Sequence, residues 1–375
     1  MKKHWGQLPT FAPFAAAADD RLAITGFKAW RLREPVSQRR YTVVKLESRG
    51  GISGFGEGSA SIGAEIVTAK SAVIGRRATD NEFIRHRLAE IPAMEAAVNN
   101  ALLDLLGKST KVPIYQYLGG PTRYKARAVA RVEGDSEDAL ASSVRESAQR
   151  GFRAFSFPIP ARDAMWKMQA YVDAIRKRLD RMKEAAGTNT DFVLDANAML
   201  TPGDASFIAT AMERSHLLWF DEPTGVLTND ALARISDESV TPVGLGRRVH
   251  DVATFQNLLR WGCIDILRPS LGLNSIPQIR RMAAVAETHY VAVGPYHNGG
   301  PIGTIAAIHL AASLPNFFAQ EIPQPAAAQD RDMRAEIVSG ARESAVEGFA
   351  QLVNKPGLGI EVSESALSKY SEETL

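Results

Sequence analysis

Hydrophobic and polar positions along the chain follow two rhythms. In the first, "LAITGFKAWRLR" alternates in part, "RRYTVVKLESRGG" is rich in β-branched residues and closes on a Gly-Gly turn, and "ISGFGEGSA" continues as a third extended piece. A period of two puts successive side chains on opposite faces of a pleated strand, so this region predicts a three-stranded sheet. From Ile66 to Gly107 the spacing turns helical: "MEAAVNNALLDLLGK" places Ala97, Leu102, Leu103 and Leu106 on one face, with Gly107 near the stop. A sheet followed by helices is an α+β arrangement.

After about residue 125 the second rhythm begins. Short apolar runs ("ARAVARV", "AFSF", "DFVLD", "LLWFD", "TPVGL", "IDILR", "YVAVG", "FFAQ") alternate with amphipathic stretches such as "SEDALASSVRESAQR" and "SIPQIRRMAAVAET". Strands buried on both faces read as continuous apolar runs, and eight of them separated by helices predict an α/β fold, a parallel TIM-type (β/α) barrel of seven to eight strands. The working face of such a barrel is the carboxyl end of its strands, so the residues just after each run are the candidates for chemistry. The tail "NKPGLGIEVSESAL" is apolar enough to return to the first region. The expected division is an α+β N-terminal domain over 1–124, a barrel over 125–340 and a returning C-terminal segment over 341–375.

Composition narrows the function classes. The chain has 375 residues, is 45% hydrophobic and 23% charged, and carries a net charge of only +2. Arg39-Arg40 and Arg247-Arg248 are pairs rather than basic tracts, so no nucleic-acid partner is expected. No run approaches the roughly 20 apolar residues of a membrane span, and Pro9 and Pro13 interrupt the N-terminal stretch that a secretory signal would need, so a cytoplasmic protein is expected. The single cysteine, Cys263, precedes the apolar run "IDIL" and reads as a buried thiol rather than a nucleophile.

At the strand ends the chain resembles the enolase superfamily, in its mandelate racemase and muconate-lactonizing branch. "VVKLESRGGISGFGEGSA" is similar to the family's capping-domain hairpin and "ALLDLLGKSTKVPIYQYLGG" to its helix leading into the barrel. "DFVLDAN", "WFDEPT", "IDILRPSLGLNSI", "GPIGTIAAIHLAASLPNF" and "PGLGIEV" follow in the family's order. The resemblance implies an α+β N-terminal capping domain over a (β/α) barrel, a small-molecule carboxylate substrate, a homo-oligomer and a magnesium ion held by acids at three consecutive strand ends. It also implies a shared step: removal of a proton alpha to a carboxylate, with fixed positive charge stabilising the enediolate. Cap loops would close over the mouth; here these are "WGQLPTFAPFAA" and "GEGSASIG".

The site residues match in part. Asp195 in "LDAN" and Asp221 in "FDEP" fall on the first two metal positions, and Arg247 falls on the third, the three standing 26 residues apart in turn. A guanidinium has no lone pair to offer a metal, which argues against a magnesium ion. The second-strand lysines of the family are replaced by Ser156 and Pro158, the seventh-strand histidine by Tyr296 and its aspartate partner by Ser270, with His297 one residue on. Arg247 is expected in the space of the metal ion, between the two aspartates. Arg247 and Arg268 would then steady a substrate carboxylate, Tyr296 or His297 would transfer a proton, and Asn197 and Glu321 would contact substrate. Glu222 is expected as an outer partner, and Asp251 as a helix cap. Two functions stay open: an acid-sugar dehydratase or racemase-type enzyme, and a metal-free or inactive barrel that binds a carboxylate.

Overall fold

The structure, a computed structural model, describes residues 20–162, 165 and 167–374. The segment "WGQLPTFAPFAA" lies outside the described residues. The first domain opens with an antiparallel meander, β1 (Ile24–Arg33), β2 (Arg40–Ser48) and β3 (Ser53–Ser59), followed by helices α1 (Gly63–Val73), α2 (Asn81–Arg87), α3 (Pro92–Thr110) and α4 (Ile114–Tyr117). Strand pairing aligns Trp30 with Val43, and Val43 with Glu57.

The second domain runs β4 (Lys125–Val132), α5 (Glu137–Gln149), β5 (Ala154–Pro158), α6 (Met168–Ala186), β6 (Asp191–Asp195), α7 (Pro202–Ala211), β7 (Trp219–Asp221), α8 (Asn229–Ser236), β8 (Val243–Leu245), α9 (Val252–Trp261), β9 (Ile266–Leu267), α10 (Ile276–Thr288), β10 (Ala292–Val293), α11 (Pro301–Ser313) and β11 (Gln320–Gln324). Seven of the eight apolar runs contain a barrel strand and the eighth, "FFAQ", leads into β11 at Gln320; each strand is parallel to its neighbour, with β11 pairing back onto β4. The ring closes between β10 and β11 through a bridge from Val293 to Phe317. Asp251 caps α9, its carboxylate accepting the Thr254 N–H at 2.8 Å. The chain then forms α12 (Ala328–Ile337), β12 (Val338–Ser339), β13 (Phe349–Gln351), β14 (Glu361–Val362), α13 (Glu364–Lys369) and β15 (Ser371–Thr374). β13 pairs with β4 at the barrel, and β15 pairs with β1 in the first domain. The fold is a TIM-type (β/α) barrel with an α+β capping domain.

Period-two alternation sorts the barrel interior into layers. Val129, Ala154, Val193, Trp219, Ile266 and Ala319 pack together as an apolar plug. Two residues further along each of these six segments lie Arg131, Ser156, Asp195, Asp221, Arg268 and Glu321, which therefore face the same axis one layer nearer the mouth. Glycines make room for this layer. A Cβ on Gly244 would stand 2.6 Å from Trp219 and 2.9 Å from an Asp221 oxygen, and one on Gly294 would stand 3.2 Å from the Arg268 guanidinium.

α3 ties the two domains together. The helical spacing predicts one apolar face, yet every residue from Ala93 to Gly107 is buried. One side meets the glycines of β3, the other meets the barrel, and its polar residues are spent on contacts at both. Asn100 accepts the Ile276 N–H at 3.1 Å and Glu95 accepts the Ser275 hydroxyl at 2.9 Å, both at the start of α10. Asp104 accepts the N–H groups of Phe55 and Leu358 at 2.8 and 2.7 Å.

The close approach of β3 to α3 gives a stability prediction. A Cβ at Gly56 would lie 2.1 Å from the Ala97 carbonyl oxygen, where neither backbone can retreat. Gly56→Ala is expected to lose about 2–3 kcal/mol in urea unfolding. Gly203→Ala in α7, whose new methyl meets only the flexible end of Arg234 at 3.5 Å, is expected to stay within about 1 kcal/mol of the parent.

Candidate active site

Three arginines and three carboxylates close a ring around the barrel axis. Arg131 donates to Asp195 at 2.9 Å and to Glu321 at 3.2 Å. Arg247 grips Asp195 with both terminal nitrogens, one at 3.0 Å, and its Nε lies 3.7 Å from Asp221. Arg268 donates to Asp221 at 2.9 Å, to the Gly294 carbonyl at 2.6 Å and to Glu321. Charges therefore alternate the whole way round: Asp195, Arg247, Asp221, Arg268, Glu321, Arg131 and back to Asp195. Glu222 stands outside the ring and accepts the backbone N–H groups of Gly246 and Arg247 at 2.7 and 2.8 Å, which fixes the turn that aims the Arg247 side chain inward.

The ring sets its members' protonation. Burial alone would raise the Asp195 carboxyl, but Arg131 and Arg247 outweigh it and hold the group well below the usual carboxylate range. Burial likewise opposes ionisation of Glu321, and Arg268 and Arg131 overcome it. At Asp221 burial prevails and the carboxyl is raised despite Arg268 and Arg247. The Tyr296 ring lies over all three guanidiniums, with centroid distances of 4.7 Å to Arg247, 5.5 Å to Arg131 and 5.8 Å to Arg268. Cation–π attraction and apolar cover from this ring keep water off the ion pairs beneath it.

Above the ring is a cavity of about 240 Å³, walled by Arg247, Arg248, Asn197, Tyr296, His297 and, from the capping domain, Glu57 to Ser59. The "GEGSASIG" turn thus contributes its second, third and fourth residues to the mouth. Arg248 donates to the Asn197 carbonyl and side-chain oxygens at 3.1 and 3.3 Å, both neutral acceptors. Glu57 accepts the N–H groups of Gly300 and Gly303 at 2.5 and 3.0 Å, clasping the start of α11 from the other domain. Burial pushes its carboxyl up to about 7. His297 bonds the Gly300 carbonyl through Nε2 at 2.9 Å, and burial holds it neutral by pushing it down to about 4.

Of the residues singled out in the sequence, Asp195, Asp221, Arg247 and Tyr296 come together as expected in space, with Ser270 paired beside Tyr296. Arg268 and Glu321, expected at the substrate, are fully buried in the ring, and neither lines the cavity. Arg131 was missed, although it ends the first barrel strand two residues past an inward-facing valine; alternation was the signal. The Ser156 hydroxyl, in the same layer, is buried without a partner. Cys263 is buried, as are Trp219 and Phe220.

Residues 28–119 match the N-terminal domain of the mandelate racemase / muconate lactonizing enzyme family, and residues 139–366 match the enolase C-terminal domain-like family. The chain belongs to the enolase superfamily. Its place is in the mandelate racemase and muconate-lactonizing branch. Curated superfamily relatives include the D-galactonate dehydratases of Xanthomonas campestris pv. campestris (strain B100), 26% identical over 92% of this chain and 94% of the relative, and of Pectobacterium atrosepticum, 26% identical over 89% and 91%. A mandelate racemase/muconate lactonizing enzyme-like protein of Rubrobacter xylanophilus shares the fold with a TM-score of 0.82 at 24% identity, covering 94% of this chain and 98% of that one. A mandelate racemase/muconate lactonizing enzyme of Jannaschia sp. CCS1 matches with a TM-score of 0.82 at 21% identity, over 93% and 98%.

Superfamily members generally bind magnesium, and the donor set here does not fit that ion. Arg247, which falls where the sequence leads one to expect a third ligand, carries a guanidinium, and Asp195 and Asp221 are already hydrogen-bonded to or facing it. Among the described residues no group of three or more His, Cys, Asp or Glu side chains could hold a metal.

Two predictions follow from this geometry. Arg247→Ala leaves buried carboxylates uncompensated and is expected to lose about 3–5 kcal/mol in urea unfolding, part of it recovered by adding Asp195→Asn. Glu57 keeps its proton in the fold up to about pH 7 but ionises near the ordinary carboxyl value of 4.5 when unfolded. The folded state therefore binds the extra proton across that window, and the stability this group contributes falls as pH rises through it. The stability of the parent relative to Glu57→Gln should accordingly decline between about pH 5 and pH 7; a difference that does not vary with pH contradicts the assignment.

Proposed function

We propose that this protein takes a small polyhydroxy carboxylate of the acid-sugar class and acts on it in the manner of a dehydratase, with the Arg247 guanidinium where relatives are expected to hold a divalent ion. One observation carries the reading: Arg247, at the position expected for a third ligand, lies on Asp195 and also walls the cavity. Its remaining N–H groups and those of Arg248 suit a carboxylate, and a planar guanidinium fork matches that group's geometry. The naming of curated relatives as D-galactonate dehydratases supports the substrate class.

The reaction would begin with loss of the C2 proton, which puts a second negative charge on the substrate carboxylate. Guanidinium N–H groups fixed beside that charge stabilise it without having to reorganise. The 3-hydroxyl leaves as water after taking a proton, and the enol product tautomerises to a 2-keto-3-deoxy acid. Tyr296 and His297 are the proton carriers at the cavity. The His297 ring donates its Nε2 hydrogen to the Gly300 carbonyl, so Nδ1 is the nitrogen left with a lone pair. A base held near 4 is weak, so His297 by itself is poorly matched to taking a proton at neutral pH.

A second reading, binding without turnover, rests on one fact. Each guanidinium in the ring already faces carboxylates, so little positive charge is left over for an enediolate. A panel of aldonic acids including D-galactonate separates the two. Calorimetry with EDTA present should show binding that Arg248→Gln weakens about ten-fold, and a 2-keto-acid assay should show turnover that EDTA leaves unchanged. Binding with no keto acid formed would establish the second reading. Turnover that appears only on adding magnesium would overturn the metal-free mechanism.

A further inference from the structure

A second cleft, of about 650 Å³, lies between the end of α5, the start of α11 and α12, and shares no lining residue with the mouth cavity. Four arginines line it: Arg150, Arg331, Arg334 and Arg342. Two are matched by acids. Arg334 is held by Glu343 and Glu34 at 2.6 Å, and Arg331 lies 3.4 Å from Glu146. Arg150 and Arg342 form no ion pair among the described residues; the nearest acceptor of Arg150 is the Glu146 backbone carbonyl, at 3.4 Å. Burial and the neighbouring Arg331 depress the Arg150 guanidinium, and the more distant charges of Glu146 and Glu343 offset this only in part.

An independent observation points to a ligand. Gln324, 1% exposed, lines the same cleft, and its Oε1 has no hydrogen-bond partner. Its orientation is fixed, because Nε2 donates to the Pro323 and Glu343 carbonyls at 2.9 and 3.2 Å. A buried amide oxygen left without a donor costs about 1–3 kcal/mol, so a donor arriving from a ligand is worth a comparable amount.

We propose that this cleft binds a small phosphate monoester that also carries a hydroxyl group. The phosphate, with a charge of about −1.5 to −2 at neutral pH, balances the two unmatched guanidiniums, which offer it paired N–H donors. The hydroxyl reaches Gln324 Oε1. Arg334 also donates to the Gly299 carbonyl at 2.8 Å, so the cleft adjoins the segment that carries Tyr296 and His297. The proposal is independent of the chemistry assigned to the mouth.

The test is calorimetry on the full chain at constant ionic strength, with inorganic phosphate and glycerol 3-phosphate as probes. Glycerol 3-phosphate should bind more tightly than inorganic phosphate. Arg342→Gln and Arg150→Gln should each weaken it about ten-fold, the loss of one charge-assisted hydrogen bond. Gln324→Leu should bring the ester down to the level of inorganic phosphate, while Arg248→Gln at the mouth should change nothing. Arg342 is exposed, so its variant remains decisive if the buried substitutions fail to fold. Absence of heat at millimolar probe, an affinity untouched by Arg342→Gln, or one abolished by Arg248→Gln would each overturn the assignment.

Discussion

Three guanidiniums and three carboxylates buried at one level of a barrel attract and repel over a few ångströms, where the interior screens them poorly. Only strict alternation gives every charge two opposite neighbours, and the ring through Asp195, Arg247, Asp221, Arg268, Glu321 and Arg131 achieves it. Much of the mouth follows from that requirement. Gly244 and Gly294 leave the space that long side chains need, Glu222 orients the turn before Arg247, and Tyr296 covers the guanidiniums. Beneath lies an apolar plug, so the ion pairs sit between a dry floor and an aromatic lid.

Charge counting shows what the proposed exchange of a metal centre for this ring would leave unchanged. A dication held by three carboxylates leaves one net negative charge. Exchanging one of those carboxylates for a guanidinium and omitting the ion leaves the same net charge, as Asp195, Asp221 and Arg247 do here. On that proposal the net charge of the three groups is kept while the short-range chemistry changes. A guanidinium cannot coordinate both oxygens of an enediolate as an ion does; it offers directed N–H donors instead. The Asp221 side chain fits this exchange, since Arg268 and Arg247 approach it from two sides.

Much of this was legible in the amino-acid order. Seven apolar runs located barrel strands and the eighth ended where β11 begins, and the equal spacing of Asp195, Asp221 and Arg247 set the guanidinium against the aspartates. Arg131, and the place of Arg268 and Glu321 within the ring, were harder, because a charge at the end of an apolar run does not by itself say which way it faces. Their direction depends on strand parity, set by which neighbours form the plug, and that is a property of the closed ring rather than of one strand. α3 misled for a related reason: a helix clamped between a sheet and a barrel is buried on all sides, and its asparagines and acids look like a solvated face until their partners at Ile276, Ser275 and Leu358 are seen.

The central claim is that position 247 carries the positive charge a metal would otherwise supply. Magnesium titration by calorimetry, on the parent and on Arg247→Glu, tests it most directly. The account predicts no magnesium heat from the parent and a measurable site in the variant, where three carboxylates again face one another. Tight magnesium binding by the parent, with Arg247 still in place, would contradict it.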